Sequence, residues 1–510
     1  MRSRAPIGWL IGVLCAAVAV GVGEMVAAFV RPAAAPVIAV GNRLITLTPS
    51  STKRSAIDAA GTNDKVLLIG GVYLLLAVFG ALVGSAALRD VRHGLAGIAV
   101  IGAFASYCAL SANASRATDV IPTLAGTGAA MVVLVALVRM ATARNDDADE
   151  TLAPLDRRGF LQGSAATAAL AALAGFGGRL VQHRRFDVAA DRAKIVLPAA
   201  KTIDATPPGV DLGKSPVPWR TPNEHFYRID TALSVPQIVS HDWRLRIHGL
   251  VDRPITLTYA DLLRRPLVER WITLCCVSNE VGGNLISNSR FRGALLADLL
   301  REAGIHDGCD QLRMTSEDGM TIGAPTAVVL DGRDALLAVG MNGRPLPLEH
   351  GFPVRVVVPG LYGYVSACKW VVDIEATTFA KSSPYWVEGG WAEHPPIRMS
   401  ARIDRPASGG TVSVGETVAI AGVAWDQHVG VAKVELQVDD GAWRGARLAA
   451  VPSTDTWRQW VLPWTPEKSG SYRLRVRATD AAGRVQDDTV RPVFPSGASG
   501  LHAVTVHALI

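Results

Sequence analysis

Four long apolar stretches lie in the first third of this chain, and they restrict its possible folds more than any other feature. Together they contain one charged residue, and each has about the 20 mostly apolar residues that a helix needs to cross a bilayer. The sequence therefore predicts a membrane region of four helical spans over residues 1–144. The stretches are Ala5–Val30, Val66–Leu88, Gly94–Ser115 and Val120–Val138.

Basic residues flank these stretches unevenly. Arginines occur at the N-terminus, in the short loop between the second and third stretches, and after the fourth stretch. Because cytoplasmic loops are enriched in Lys and Arg, this distribution predicts a cytoplasmic N-terminus. The loop from Arg31 to Lys65 also contains basic residues, but it is long, and we expect it on the outer side. The arginines in question are Arg2, Arg4, Arg89, Arg92, Arg139, Arg144, Arg157 and Arg158.

The segment 145–185 has two compatible interpretations. Arg157 and Arg158 precede an Ala/Leu-rich run that ends in glycines at about Gly178. Paired arginines before such a run are typical of a twin-arginine export signal. The same residues are also consistent with a fifth membrane helix that has arginines at its inner end. In both interpretations the chain after about Arg179 lies outside the cytoplasm, and the protein is a multi-pass protein of the cell membrane.

Charge and cysteine content exclude several classes of protein. The chain has 51 Lys and Arg against 45 Asp and Glu, and the basic residues form no dense run, which argues against nucleic-acid binding. Two of the six cysteines, Cys15 and Cys108, fall in the apolar stretches, where they are expected to be packing residues. The apolar stretches contain no histidine, so no haem is predicted in this chain.

The exported part divides into three by composition. Residues 186–217, rich in Ala, Pro and Asp, are predicted to form a linker. Residues 218–395 alternate short strands with short helices, which predicts an α+β domain. Residues 396–510 contain short strands separated by turn signals, which predicts an all-β immunoglobulin-like sandwich with its tryptophans in packing positions. The strands predicted there are Val412–Val414, Thr417–Trp425, Ala432–Val438, Trp457–Trp464, Tyr472–Thr479 and Val485–Val490.

A cysteine motif lies where a predicted buried strand runs into a polar loop. Residues 273–279 read Thr-Leu-Cys-Cys-Val-Ser-Asn. A thiolate held on a rigid loop is a suitable ligand for a transition metal. About 75 residues later the chain reads His-Gly-Phe-Pro-Val-Arg over residues 350–355, and the two motifs together are far more specific than either alone.

These motifs resemble the sulfite oxidase family of molybdenum enzymes, and the resemblance extends from about Thr221 to the C-terminus. The cysteine loop is similar to the family's metal-binding loop, with Cys276 rather than Cys275 in register. Residues 348–355 are similar to the family's pterin motif, and the C-terminal sandwich to its dimerisation domain. Two further segments fit the pattern: Pro222–Arg228, and the loop from Pro359-Gly360 to Lys369-Trp370.

The resemblance implies a single molybdopterin, bound through its dithiolene sulfurs to a molybdenum that also carries oxo groups and the Cys276 thiolate. Arg355 and Lys369 are expected to bind the pterin phosphate. Arg355 suits this role because a guanidinium makes paired bonds to phosphate. His350 and Asn223 are expected at the pterin edge, and Arg228 is expected to contact an anionic substrate. The other cofactor-binding residues that the resemblance implies are Phe226, Tyr227, Thr315, Ser366 and Cys368.

Two departures from the family leave the substrate open. Glu280 stands where sulfite-oxidising members have an arginine, and a carboxylate there would repel sulfite. Ile322 stands in place of a tyrosine and has no hydroxyl to donate. The sequence thus favours oxygen-atom transfer on a small substrate outside the cytoplasm. Reduction of a sulfoxide such as methionine sulfoxide, and a non-catalytic extracellular binding scaffold, are the alternatives.

The predicted partners follow from the same features. The apolar stretches predict contact with membrane lipid. The absence of haem ligands in the sequence suggests a separate electron-transfer partner, either a cytochrome or a quinone-linked subunit. The resemblance of the C-terminal sandwich to a dimerisation domain suggests a homodimer.

Overall fold

The computed structural model describes residues 5–48, 52, 64–112, 115–142 and 157–510. The chain divides into two compact units. We call the first the helical unit; it comprises Met1–Asp187 and Thr231–Gln237. We call the second the mixed unit; it comprises Val188–Asp230 and Ile238–Ile510.

The helical unit has a helix at each of the four predicted stretches, as well as two others. Five of the helices are long and apolar enough, by length and composition, to cross a membrane. The fifth of these covers residues 157–185 of the predicted twin-arginine segment, whose residues 145–156 lie outside the described residues. The helices are α1 (Ala5–Val30), α2 (Pro36–Leu47), α3 (Asp64–Ala87), α4 (Val91–Leu110), α5 (Ile121–Thr142) and α6 (Arg157–Arg185).

Helix α1 packs against α3, α5 and α6. Small residues allow this close packing: a Cβ atom on Gly12 would overlap the carbonyl oxygen of Gly80 in α3. Side chains such as Ile11 and Leu134 are completely buried between the helices, whereas Leu74 and Leu82 of α3 are exposed. Small residues at helix contacts and large apolar residues outside are typical of helices packed in a membrane.

The segment from Arg31 to Lys65, predicted to be a long loop, contains helix α2. Pro36 is its first residue, a position where the missing N–H of proline costs nothing. Residues 49–51 and 53–63 of the same loop lie outside the described residues, as do Arg2, Arg4, Arg144 and the side chain of Arg157.

The first part of the mixed unit contains two sheets, which confirms the predicted α+β architecture. One sheet has the order β1-β4-β5-β8-β10, with β9 beside β8, and the other has the order β3-β2-β11-β6-β7. The strands are β1 (Thr202–Ile203), β2 (Arg244–Gly249), β3 (Ile255–Thr258), β4 (Leu267–Cys275), β5 (Ile286–Leu295), β6 (Gln311–Ser316), β7 (Thr321–Pro325), β8 (Leu336–Met341), β9 (Arg344–Pro345), β10 (Arg355–Val357) and β11 (Val371–Thr377).

Six short helices accompany these sheets, and a large apolar core lies around both. Their alternation with the strands agrees with the short helices that the sequence predicts in this part of the chain. The helices are α7 (Val188–Lys194), α8 (Tyr259–Leu263), α9 (Leu296–Ala303), α10 (Thr326–Leu330), α11 (Gly363–Ser366) and α12 (Tyr385–Glu388).

The segment 186–217 is not the free linker that its composition predicts. Val188 is buried in an apolar cluster, and the Arg192 guanidinium donates to the Leu346 carbonyl oxygen at 2.6 Å. Thr202 pairs in parallel with Val268 of β4. The prediction was wrong because a few apolar and arginine side chains in an otherwise polar segment find partners on the folded domain.

The C-terminal part is a sandwich of two sheets, with the orders β12-β14-β18-β17 and β13-β20-β19-β15-β16. Five predicted strands are confirmed, and Trp425, Trp457, Trp460 and Trp464 are buried as expected. The strands are β12 (Ser400–Arg405), β13 (Thr411–Ser413), β14 (Val418–Trp425), β15 (Val431–Val438), β16 (Arg444–Gly445), β17 (Arg447–Leu448), β18 (Arg458–Trp464), β19 (Gly470–Asp480) and β20 (Ala503–Leu509).

The strand predicted at Val485–Val490 is wrong. Within this segment, Val485 alone pairs with another strand residue, through an isolated bridge to Thr479. Asp487 ends the extended segment because its carboxylate accepts the backbone N–H of Thr489 at 2.9 Å. Strands β12 and β20, which the sequence analysis missed, form an outer strand of one sheet and an inner strand of the other.

Candidate active site

The end of strand β4 separates the two adjacent cysteines. Cys275, the last residue of the strand, is buried in an apolar cluster with Trp271 and Tyr362. Because successive side chains of a strand point to opposite faces, Cys276 points the other way, and it is partly exposed. The two thiols thus have different surroundings, and the assignment of the metal to Cys276 stays a prediction.

The loop that carries Cys276 is held by its own backbone. The Cys276 N–H donates to the Leu285 carbonyl oxygen at 2.9 Å, and the Cys276 carbonyl accepts from the Asn279 N–H at 3.0 Å. The Asn279 side-chain oxygen in turn accepts from the Leu285 N–H at 2.8 Å. These bonds hold the backbone of the loop at Cys276 in one conformation.

The surroundings of Cys276 have opposing effects on the pKa of its thiol. Burial raises the pKa of its thiol, whereas hydrogen bonds from Ser278 and from the Val277 N–H lower it. Those donors stabilise a thiolate, the form that binds metals. At Cys275, burial raises the pKa well above its usual value. Of the pair, only Cys276 has hydrogen bonds that favour its thiolate.

Arg355, at the start of β10, is a buried cation. It is only 5% exposed, and burial lowers its pKa to about 10. Its Nη1 donates to the His350 carbonyl oxygen at 3.2 Å, but its Nε has no hydrogen-bond partner among the described residues. Because an unsatisfied buried cation is unfavourable, this side chain is suited to bind an anion.

Two unusual backbone conformations bring Lys369 next to Arg355. Gly351 has φ +107°, and a Cβ there would lie 3.0 Å from the Arg355 Cβ and 3.2 Å from the Lys369 Cα. Trp370 has φ +51°, which is rare for a bulky side chain, and its indole donates to the Leu348 carbonyl oxygen at 2.9 Å. Such strain is concentrated at functional sites.

A carboxylate that sequence reasoning missed joins two of the predicted site residues. Asp230 accepts from the Lys369 ammonium at 2.9 Å and from the Arg228 Nε at 2.8 Å. Burial lowers the pKa of Lys369 to about 8, although Asp230 opposes this. The only signal in the sequence was the position of Asp230 two residues after Arg228.

His350 lies against the segment that contains Asn223. Its Nε2 donates to the Asn223 carbonyl oxygen at 3.1 Å, which leaves Nδ1 as an acceptor. Burial lowers the pKa of His350 to about 3, so the ring is neutral. The ring of Phe226 lies 5.3 Å from His350 and 5.3 Å from the ring of Tyr227, centre to centre.

Asn342 is a second residue that sequence reasoning missed. It adopts φ +51°, and its side-chain nitrogen donates to the Asn223 side-chain oxygen at 2.8 Å. The Asn223 nitrogen lies 3.4 Å from the Met341 carbonyl oxygen. Asn342 follows strand β8, and nothing in the local sequence relates it to Asn223.

Three other predicted residues lie apart from these contacts. The Ser366 hydroxyl is completely buried and bonds the carbonyl oxygens of Leu361 and Tyr362, each at 3.0 Å. Cys368 is completely buried, and burial raises its pKa. Thr315 lies on β6, and in the described part of the chain no side-chain hydrogen bond links it to the site residues. The cofactor roles of all three remain predictions.

The two departures from the family differ in their surroundings. Glu280 is exposed on the cysteine loop. Ile322 is buried in the core and paired across the sheet with Met314, so an apolar side chain is what this position requires.

Comparison with known proteins identifies the class of this site. Residues 232–386 match the oxidoreductase molybdopterin binding domain. Residues 400–476 match a bacterial Ig domain. Residues 154–174 match the twin-arginine translocation signal sequence, which implies export across the cytoplasmic membrane.

The relatives of the chain identify the family. The chain is 30% identical over 344 residues to sulfite oxidase of Gallus gallus, covering 58% of this chain and 73% of the relative. It is 33% identical over 150 residues to an uncharacterized oxidoreductase of Bacillus subtilis, covering 29% of this chain and 72% of the relative. The chain belongs to the sulfite oxidase family.

Two other matches complete the comparison. Mitochondrial sulfite oxidase of Homo sapiens is 31% identical over 324 residues, covering 54% of this chain and 58% of the relative, so the chain spans little more than half of that protein. The solved structure of the sulfane dehydrogenase SoxCD from Paracoccus pantotrophus matches with a TM-score of 0.48 and 22% identity, covering 58% of this chain and 86% of that chain.

The residues present fit a molybdopterin. The unsatisfied Nε of Arg355 requires an acceptor such as a phosphate oxygen. Gly351 allows the backbone to approach Arg355 and Lys369 closely, where a Cβ would crowd both residues. The acceptor nitrogen of neutral His350 suits the donor-rich edge of a pterin.

Proposed function

We propose that this chain is a membrane-anchored molybdenum–molybdopterin oxidoreductase that transfers an oxygen atom to or from a small extracytoplasmic substrate. The observation that carries the proposal is the buried guanidinium of Arg355, whose Nε has no hydrogen-bond partner among the described residues, beside the neutral ring of His350. A cation in that state is a suitable anion site, and it occurs in a chain whose Cys276 lies on a rigid loop.

Each residue has a defined part in this proposal. Cys276 would hold the metal through its sulfur, and the donors from Val277 and Ser278 would keep that sulfur anionic. Arg355 and Lys369 would bind the phosphate, while Asn223 and His350 would hold the pterin edge. Bound there, the cofactor supplies oxygen-atom exchange coupled to two-electron oxidation or reduction.

The substrate-binding residues favour no simple choice of substrate. Arg228 is 42% exposed and can contact an anion, but Asp230 already compensates part of its charge. Glu280 adds an exposed carboxylate on the cysteine loop. Oxidation of sulfite and reduction of a sulfoxide such as methionine sulfoxide are therefore both retained, and Glu280 supports the second.

The helical unit supports attachment to the membrane. Its five long apolar helices would contact lipid, and the twin-arginine segment would direct the mixed unit to the outer side. We further propose that the chain exchanges electrons with a separate cytochrome or quinone-linked subunit, and that the C-terminal sandwich mediates a homodimer.

Purified full-length protein from cells grown with molybdate tests this proposal. We expect about one molybdenum and one pterin per chain. Turnover with sulfite and ferricyanide would identify the oxidative reaction, and turnover with methionine sulfoxide and a reduced viologen dye would identify the reductive one. Protein that contains no molybdenum after adequate supply would contradict the proposal.

A further inference from the structure

Strand β4, which leads to Cys276, has an outer edge that the sandwich completes. Strand β1 pairs with β4 only at Val268 and Glu269. Further along the same edge, the C-terminal sandwich supplies the hydrogen-bond partners of β4: the Thr273 N–H donates to the Asp455 carbonyl oxygen at 2.9 Å. The Thr273 carbonyl oxygen accepts from the Gln427 side-chain nitrogen at 2.8 Å. Two sandwich loops thus bind the strand three residues before Cys276.

The Thr273 side chain extends this contact. Its hydroxyl accepts from the Trp457 N–H of the sandwich at 2.8 Å and lies 3.0 Å from the Asn288 side-chain oxygen, to which it donates. Thr273 is completely buried, and each of its polar groups is bonded. Breaking one of these buried hydrogen bonds would leave a polar group without a partner, which costs free energy. The bonds therefore hold the strand in one position.

Asn288 continues the network to the other wall of the site. Its side-chain nitrogen donates to the Trp219 carbonyl oxygen at 3.0 Å, and its N–H donates to the Thr221 hydroxyl at 3.1 Å. Asn342 then donates to both the Thr221 carbonyl oxygen, at 3.0 Å, and the Asn223 side-chain oxygen, at 2.8 Å. One network therefore joins the strand that ends at the metal loop to the segment that is expected to hold the pterin.

We propose that Thr273 and Gln427 are positioning residues for the Cys276 sulfur, through which the sandwich sets the distance between the metal loop and the pterin segment. The inference rests on the proposed function, because it assumes that Cys276 binds the metal. Residues that support metal ligands typically affect activity by about 10–100-fold, and a misplacement of about 1 Å can have an effect of similar size.

A structural role alone makes a different prediction. A buried threonine with satisfied bonds can serve stability only, in which case its loss would lower the melting temperature and leave the metal unchanged. A positioning role predicts a change at the metal itself. The test therefore needs a spectroscopic signal from molybdenum as well as activity.

The test uses full-length holoprotein and four variants. Thr273→Val removes the hydroxyl, and Thr273→Ser retains it. Gln427→Met removes the donor to Thr273 with little change in size, and it also removes an Oε1 that has no partner among the described residues, so this variant is expected to fold. Thr256→Val, at an exposed position of β3, is the matched control.

Molybdenum content, the Mo(V) electron paramagnetic resonance spectrum after reduction with dithionite, and kcat and KM are measured for each variant. The activity probe is sulfite or methionine sulfoxide, whichever the wild type turns over. For Thr273→Val and Gln427→Met we expect retained molybdenum, shifted g values and a kcat lowered roughly 10–100-fold with KM little changed. Thr273→Ser and Thr256→Val should resemble the wild type.

Two outcomes contradict the inference in different ways. Wild-type g values and kcat in both Thr273→Val and Gln427→Met, with only a lower melting temperature, overturn it while leaving the proposed function intact. If Thr273→Val does not fold, Gln427→Met decides the question alone. A wild-type protein without molybdenum overturns the proposed function and this inference together.

Discussion

The ammonium group of Lys369 donates a hydrogen bond to the buried carboxylate of Asp230 at 2.9 Å. This pair ties the loop after α11 to the segment that begins at Pro222. Burial lowers the pKa of the lysine to about 8, against the opposing effect of Asp230. The proposed phosphate-binding site thus contains two cations. Arg355 stays charged at neutral pH, whereas Lys369 loses its charge when the pH becomes moderately alkaline.

Cofactor uptake should therefore depend on pH. The folded-state pKa of Lys369 lies below its usual value, so its charge is present below about pH 8 and is lost as the pH rises through that value. Loss of one charged hydrogen bond costs about 1.5–3 kcal/mol, which predicts about tenfold or more weaker binding of molybdopterin to cofactor-free protein at alkaline pH. The affinity is measured by fluorescence titration on both sides of the transition.

Lys369→Arg is the matched control for that titration. A guanidinium stays charged throughout this range, so the variant should lose the pH dependence. If the variant and the wild type weaken equally with pH, Lys369 is not the titrating group.

The two adjacent cysteines should behave differently. Cys276→Ser should abolish turnover and leave the pterin bound, because Arg355 and Lys369 hold it independently. Cys275→Ser should leave turnover nearly intact and lower stability by about 1–3 kcal/mol, because it places a hydroxyl in an apolar cluster. Activity, pterin content and thermal melting distinguish the two. The reverse pattern of activity would show that the register is wrong by one residue.

Substitution of Arg355 should have opposite effects on cofactor binding and on the stability of the cofactor-free protein. Arg355→Met should abolish cofactor retention, since it removes the phosphate partner. In cofactor-free protein the same change should raise the free energy of unfolding by about 1–3 kcal/mol, because it removes a buried cation whose Nε is unsatisfied. Denaturant titration of cofactor-free protein checks this. Lower stability would mean that the guanidinium already has a favourable partner.

Export should require the paired arginines that precede α6. The double substitution Arg157→Lys and Arg158→Lys should keep the mixed unit in the cytoplasm, where externally added protease cannot reach it in spheroplasts. A substitution of the same kind at Arg184 and Arg185, at the other end of α6, is the control and should not block export. Protease access that is unchanged in the double variant would favour a fifth membrane helix that is inserted without this signal.

The sequence predicted those parts of the molecule that depend on local pattern. The long helices follow from apolar length, and most strands follow from alternation between turn signals. The site residues Cys276, His350 and Arg355 were found because they lie in short contiguous motifs.

The parts that could not be predicted depend on contacts between distant segments. Asp230 and Asn342 act on Lys369 and Asn223, which are far from them in sequence, and no local pattern signals that pairing. The segment 186–217 has the composition of a linker, yet Val188 and Arg192 find partners only on the folded domain. The role of Gln427 beside Thr273 likewise depends on how the sandwich packs on β4.

X-ray absorption at the molybdenum edge tests the central claim most directly. In the wild type, the metal should have one sulfur neighbour more than in Cys276→Ala, while Cys275→Ala should be identical to the wild type. An unchanged sulfur count in molybdenum-loaded Cys276→Ala would contradict the assignment of Cys276 as the metal ligand.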